Sequence, residues 1–221
     1  SYWGSTIRAF FHNPVAVFFL VLLVGMVGFT IIEPLLPYAP EANTIYKGDI
    51  NLAPCAQYWF GTNSIGQDLW SQIWSGTRTS LFIGFSVAMV EVVLGVVVGV
   101  LWGYVRKLDF LLTELYNVFD NVPQTLVVII ISYILRPGVS TMIFAMCLTS
   151  WLATARFVRN QVVIIRDRDY NLASRCLGTP AWRIMVKNLL PYLVSILTLR
   201  MALAIPAAIG NEVFITYIGL G

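Results

Sequence analysis

The chain has 221 residues, of which 58% are hydrophobic and 11% charged, against roughly 25% charged in ordinary soluble domains. That balance excludes a water-soluble globular domain. The formal net charge of +3, gathered largely in one segment, raises a question of membrane topology and docking before one of nucleic-acid binding. His12 is the single histidine, which leaves no histidine metal cluster, and Cys55, Cys147 and Cys176 have no metal-ligand spacing.

The apolar residues form uninterrupted runs rather than the stripe of a soluble helix, so the fold class is all-α and polytopic. Pro14 to Ile32 is uncharged and, as a helix, spans about 30 Å, enough for a first crossing. It is too long for a signal peptide, and no small-residue cleavage site follows Glu33 and Pro34. Glu33 to about Arg78 is rich in Pro, Asn, Gly and aromatics and is expected to be a folded external loop, with the segment around Tyr58, Trp59 and Phe60 expected at the headgroup level, the alternative being contact with an external partner. Leu81 to Tyr104 is the second crossing, broken by Glu91, with Gly84, Gly95, Gly99 and Gly103 spaced for close helix approach. Asn121 to Leu135 is a short third crossing with an irregular start at Pro123. Pro137 to Ala155 is the fourth, and Leu189 to Ile209, with Arg200 at its middle, the fifth. The expected division is residues 1–80, a first helix and external loop, and residues 81–221, a helical core.

Orientation follows from the basic residues flanking the runs. A cytoplasmic N-terminus puts Arg8, Arg106, Lys107 and the seven basic residues from Arg156 to Lys187 inside, and leaves Lys47, Arg78 and Arg136 outside.

The segment 156–191 carries dense helix punctuation. Asp169 is expected to cap a short helix through Leu177, Gly178 to end it in the left-handed region, and Thr179 with Pro180 to start the next. Tyr170, Ala173, Ser174 and Leu177 then share one face, small in the centre and bulky at the ends, a shape that fits a groove on another protein.

At these residues the chain resembles the binding-protein-dependent ABC permeases. Ala173, Ser174, Gly178, Leu190 and Pro191 fall at the spacing of that family's EAA loop. Gly61, Thr62, Gly66, Asp68, Gly76, Arg78, Ser80 and Leu81 are similar to the pattern of the C-type subunit of oligopeptide and dipeptide permeases, as are Glu212 and the Gly219-Leu220-Gly221 end. Leu172 stands where the family's triplet has Glu, Ser174 replaces its second Ala, and Gln67 replaces an Arg. The family has a sixth crossing, expected beyond Gly221.

The resemblance implies a multi-pass subunit of a bacterial or archaeal plasma membrane, with the transport done by alternating access. It implies a second permease subunit, two ATP-binding subunits carrying ATP and Mg, and an external substrate-binding protein. Tyr170, Leu172, Ala173, Ser174, Leu177 and Gly178 are the expected coupling surface for the ATPase. The chain itself is expected to be no enzyme: none of Lys47, Lys107 and Lys187 follows a glycine, so no P-loop is present.

Glu91 and Arg200 sit near mid-depth, where an ionisable side chain costs about 2.5–3.5 kcal/mol, and must face the protein interior. They either line the path, form a buried pair, or stand as separate solvated groups in a water-filled cavity. Glu212 is either an external gate contact or a helix-end residue. Arg156, Arg159 and Arg166 are either lipid ligands or an ordinary positive-inside flank. A same-family importer of nickel, glutathione or another small solute is the alternative function. A secondary carrier or channel would more naturally show repeats with interrupted helices and more intramembrane carboxylates.

Overall fold

The computed structural model describes residues 2–36, 41–46 and 48–220, with backbone alone for residues 2, 3 and 6. Lys47, counted above as external, and Gly221, the end of the family match, lie outside the described residues. Regular structure among the described residues is helical, apart from an isolated bridge between Thr62 and Asp68. The chain divides into two compact units, Ser1–Thr79 and Ser80–Gly221.

In the first unit, α1 (Tyr2–His12) is followed by α2 (Pro14–Ile32). The boundary is chemical: Asn13 Oδ1 accepts from the amides of Val15 at 3.1 Å and Ala16 at 3.3 Å, and Pro14 occupies the first helical position, where its missing N–H costs nothing. After a 3₁₀ turn at Glu33–Leu35 the chain enters the long loop. There Tyr58, expected at the headgroup level, is instead interior, 2% exposed, and donates to Asp49 Oδ2 at 2.9 Å. The hydroxyl of Thr62 accepts from the Leu52 amide at 2.9 Å. Asp68 Oδ2 accepts from the Ser71 amide at 2.8 Å and hydroxyl at 2.7 Å, capping α3 (Leu69–Tyr104). That helix begins twelve residues ahead of the expected Leu81, because its first three turns are polar and aromatic. Trp70 and Trp74 on those turns pack edge-on against Phe29 of α2, with centroids 6.0 and 4.6 Å apart. Glu33, 2% exposed, accepts from Arg78 Nη1 at 3.1 Å, and the same nitrogen donates to the Thr30 carbonyl at 3.0 Å.

The second unit holds the rest of α3, then α4 (Arg106–Asp120), α5 (Gln124–Leu135), α6 (Val139–Arg166), α7 (Asp169–Cys176), α8 (Ala181–Ile184), a π-helical turn at Met185–Leu189, and α9 (Leu190–Tyr217). Gly95, Gly99 and Gly103 on α3 lie against Thr154, Ala155, Val158 and Val162 of α6, close enough that an added Cβ would collide with them. Their shared role is helix approach. Two larger apolar cores flank that seam. One joins Ile83 and Val87 to Val128, Met142, Met146, Ala208 and Ile215; the other joins Val100 to Val158, Val162, Ile184, Leu189 and Leu193.

Among the described residues, four helices are long and apolar enough to cross a membrane, and a fifth crossing arises if α4 and α5, bent by 75° at their junction, make one span. The expected third crossing, Asn121 to Leu135, corresponds to the second arm of that bent pair. α5 alone has 12 residues, about 18 Å, and falls short of a hydrocarbon core of about 30 Å. The fourth crossing also does not stop at Ala155. Residues 156–166, expected to open the basic loop, are the last three turns of α6, because each of their arginines finds an intramolecular partner.

Candidate functional site

The short helix α7 is built from its ends inward. Asp169 is its first residue rather than its cap; Arg168 holds the cap position without a side-chain bond, and the Asp169 carboxylate favours the positive end of the helix from the first turn. At the other end Gly178 has φ +76°, its amide donates to the Arg175 carbonyl at 2.9 Å, and the Thr179 amide donates to the Ser174 carbonyl at 3.0 Å. This is the paired 5→2 and 6→1 closure of a Schellman motif. α8 then begins at Ala181 with Pro180, not Thr179, at the cap.

One face of α7 is anchored. Asn171 is fully buried; its Nδ2 donates to the Ile165 carbonyl at 2.9 Å and its Oδ1 accepts from Asn188 Nδ2 at 2.9 Å. Arg175 donates to the Arg166 carbonyl at 2.9 Å and lies over the Tyr104 ring at 5.2 Å. Arg166 in turn donates to the Gly103 carbonyl at 2.6 Å. The root of α7 is therefore tied to the ends of α3 and α6 and to the π turn before α9.

The opposite face is largely exposed. Tyr170 is 49%, Leu172 54% and Leu177 85% exposed, and Ala173 and Cys176 are exposed beside them. Ser174 is half-buried, its hydroxyl donating back to the Tyr170 carbonyl at 2.8 Å. α7 thus presents an exposed apolar surface with a small centre on a helix whose other side is locked.

The intramembrane charges Glu91 and Arg200 have different nearest partners, although the charge of Arg200 acts on Glu91. Glu91 Oε1 accepts from Thr154 Oγ1 at 2.6 Å, whereas the Arg200 guanidinium lies over the Phe157 ring, 4.3 Å from its centroid. No ion pair joins the two among the described residues. Glu212, 8% exposed, accepts from Ser80 Oγ at 2.8 Å and Thr216 Oγ1 at 3.1 Å, so it ties α9 to α3.

The family model for binding-protein-dependent transport system inner membrane components matches residues 91–221, and that for the N-terminal TM domain of oligopeptide transport permease C matches residues 1–54. The chain is 36% identical to the oligopeptide transport system permease protein AmiD of Streptococcus pneumoniae, over 100% of this chain and 73% of that protein. It is 35% identical to the dipeptide transport system permease protein DppC of Bacillus subtilis, over 100% of this chain and 69% of the relative. With the oligopeptide transport system permease protein OppC of Bacillus subtilis the identity is 31%, over 100% and 72%.

The chain belongs to the binding-protein-dependent permease family. It is a multi-pass membrane subunit, and the motif residues that carry the resemblance have visible structural work in this permease. Gly61 and Gly66 adopt φ of +76° and +81°, Asp68 caps α3, Arg78 neutralises Glu33, and Ser80 bonds Glu212.

Sequence reasoning missed α4, whose charges interrupt any search for uncharged runs. The signal was present as apolar residues at helical spacing, Leu108, Leu111, Leu112 and Leu115. Arg159, read as a lipid ligand or flank, grips Asp109 of α4 through Nε at 2.8 Å and Nη2 at 2.7 Å, and Arg156 lies 4.4 Å over the Tyr116 ring. Asn171 carried no signal beyond being the polar residue opposite the apolar face.

Proposed function

We propose that this chain is a permease subunit of an ATP-driven importer that moves oligopeptides or dipeptides across the membrane by alternating access. It would work with a second permease subunit, two ATP-binding subunits and an external substrate-binding protein, with its N-terminus in the cytoplasm. Full-length similarity to permeases named for oligopeptide and dipeptide transport supports peptide over nickel or glutathione as the substrate class.

The observation that carries the coupling role is α7: an exposed apolar face, Tyr170, Leu172, Ala173 and Leu177, backed by the buried Asn171. The ATPase groove takes that face, Ser174 lies at its margin, and Gly178 sets the angle to α8. Leu172, where relatives of the resembled pattern have Glu, makes the contact apolar rather than ionic. Glu91 borders the path, while Arg200 and Glu212 hold the helices around it. Residues 1–80 supply the first crossing and the external loop, and residues 81–221 the transport core.

The test is co-purification of the ATPase with Ala173→Trp and Leu177→Glu, two substitutions on exposed positions that leave the thermal stability of the permease unchanged. Loss of the ATPase from both supports the reading. Normal recovery with both removes the coupling role from α7.

A further inference from the structure

Two cavities adjoin between the helices of the second unit. The larger, about 230 Å³, opens at the break between α4 and α5 and is bordered by Asp120, Gln124, Thr149 and Ser150. The smaller, about 150 Å³, is bordered by Glu91, Gln124, Ser150 and Asn211. Gln124, Ser150 and Ala153 line both. Together they make a crevice with mostly apolar walls, in which Asp120 borders one cavity, Glu91 the other, and the carboxamide of Gln124 and the hydroxyl of Ser150 both.

Its chemistry is one-sided. The lining of either cavity includes no lysine, arginine or histidine. The nearby guanidinium groups are held on aromatic faces, Arg156 on Tyr116 and Arg200 on Phe157. Glu91 and Asp120 each accept a single hydrogen bond from a described hydroxyl, Thr154 Oγ1 at 2.6 Å and Tyr116 OH at 2.8 Å. Thr149 Oγ1 and Ser150 Oγ, both buried, have no hydrogen-bond partner. Asp120 is exposed at the mouth, whereas Glu91 is half-buried with the charge of Arg200 acting on it from outside the lining; the unpaired hydroxyl oxygens and the free carboxylate oxygens leave acceptor capacity unmet inside. A low-dielectric cleft lined by one sign of charge also concentrates the opposite sign.

We propose that this crevice is a site for a primary ammonium group, which brings three N–H donors and one positive charge to Glu91, Asp120 and the hydroxyls between them. In transport it receives the amino terminus of a peptide on the path. That last step rests on the peptide-importer reading above; the cation preference of the crevice does not.

The experiment uses the whole transporter complex in membranes, with Cys55, Cys147 and Cys176 replaced and Ser150→Cys introduced as a reporter, Ala153→Cys serving as a second reporter. Its modification is timed with an aminoethyl and a sulfonatoethyl methanethiosulfonate, each corrected for its rate with a small thiol. The expected preference for the ammonium reagent is about tenfold, equivalent to about 1.4 kcal/mol, falling toward unity when Glu91→Gln and Asp120→Asn are added. Methylammonium is expected to slow the reaction. A tripeptide delivered during turnover slowing it more than its N-acetylated form assigns the site to peptide termini; protection by methylammonium alone assigns it to small amines. No charge preference, a preference unchanged by both carboxylate substitutions, no protection by either amine, or no modification until the protein is denatured would each overturn the proposal.

Discussion

Asn188 Nδ2 donates to Asn171 Oδ1 at 2.9 Å, and this bond joins α7 to the π turn that leads into α9. Removing the donor leaves a buried carbonyl oxygen unsatisfied, at about 1–3 kcal/mol. Asn188→Leu is therefore expected to keep the exposed face of α7, and with it ATPase docking, while loosening the connection to α9. The measurement is peptide transported per ATP hydrolysed in proteoliposomes. The ratio should fall severalfold with ATP hydrolysis retained; an unchanged ratio would show that the bond transmits nothing.

Arg78 and Glu33 form a pair whose acidic member is almost fully buried. Breaking such a pair from one side costs about 3–5 kcal/mol, because the remaining charge is uncompensated. Arg78→Leu should lower the thermal midpoint of the detergent-solubilised protein clearly, and adding Glu33→Leu should restore much of the loss. Additive losses in the double variant would count against the pair as the cause.

Glycines of similar appearance in sequence differ in what surrounds them. A Cβ on Gly99 would meet the Ala155 carbonyl oxygen at 2.5 Å, backbone that has little room to yield, whereas one on Gly25 would meet nothing within 4 Å. Gly99→Ala is expected to destabilise by about 1–3 kcal/mol through overpacking. Gly25→Ala should be neutral or stabilising by up to about 1 kcal/mol through helix propensity. Unfolding curves of the two variants side by side decide it.

These contrasts mark what was legible in the sequence. The uncharged run from Pro14 announced α2, Gly178 announced the end of α7, and apolar length announced the crossings, since each depends on local chemistry. Arg159 with Asp109, Asn171 with Asn188 and Arg78 with Glu33 are partners 50, 17 and 45 residues apart. Nothing local specifies such pairing, so basic residues that close the fold looked like a flank. Glu91 and Arg200 have a hydroxyl and an aromatic face as their nearest partners, while the charge of Arg200 still acts on Glu91, partners that similar depth in the sequence does not specify.

Burial, then the Asp49 carboxylate that accepts its hydrogen bond, push the Tyr58 phenol up to about 12 from 10.0. The unfolded chain ionises this group near pH 10, as free tyrosine does. The stability contributed by the neutral phenol is thus complete below about pH 10 and is lost as pH rises through 12. A phenolate absorbance titration of the wild type minus Tyr58→Phe should place this tyrosine's transition near the top of that window. A transition at the ordinary tyrosine value would contradict it.

Cys55 and Cys176 are both exposed, which makes them reporters of orientation. A membrane-impermeant thiol reagent applied to intact cells should label Cys55 and spare Cys176. Labelling of Cys176 from outside would reverse the assignment of the N-terminus to the cytoplasm.

Unbroken, the 28 residues of α6 make a rod of about 42 Å, some 12 Å longer than the hydrocarbon it crosses. α7 hangs from the projecting end, fixed there by Asn171 and Arg175. A tilt of roughly 10° about the far end of such a rod would sweep α7 through about 7 Å, more than one helical pitch. Under the proposed coupling role, a partner holding α7 would act on the glycine seam between α3 and α6 through that length.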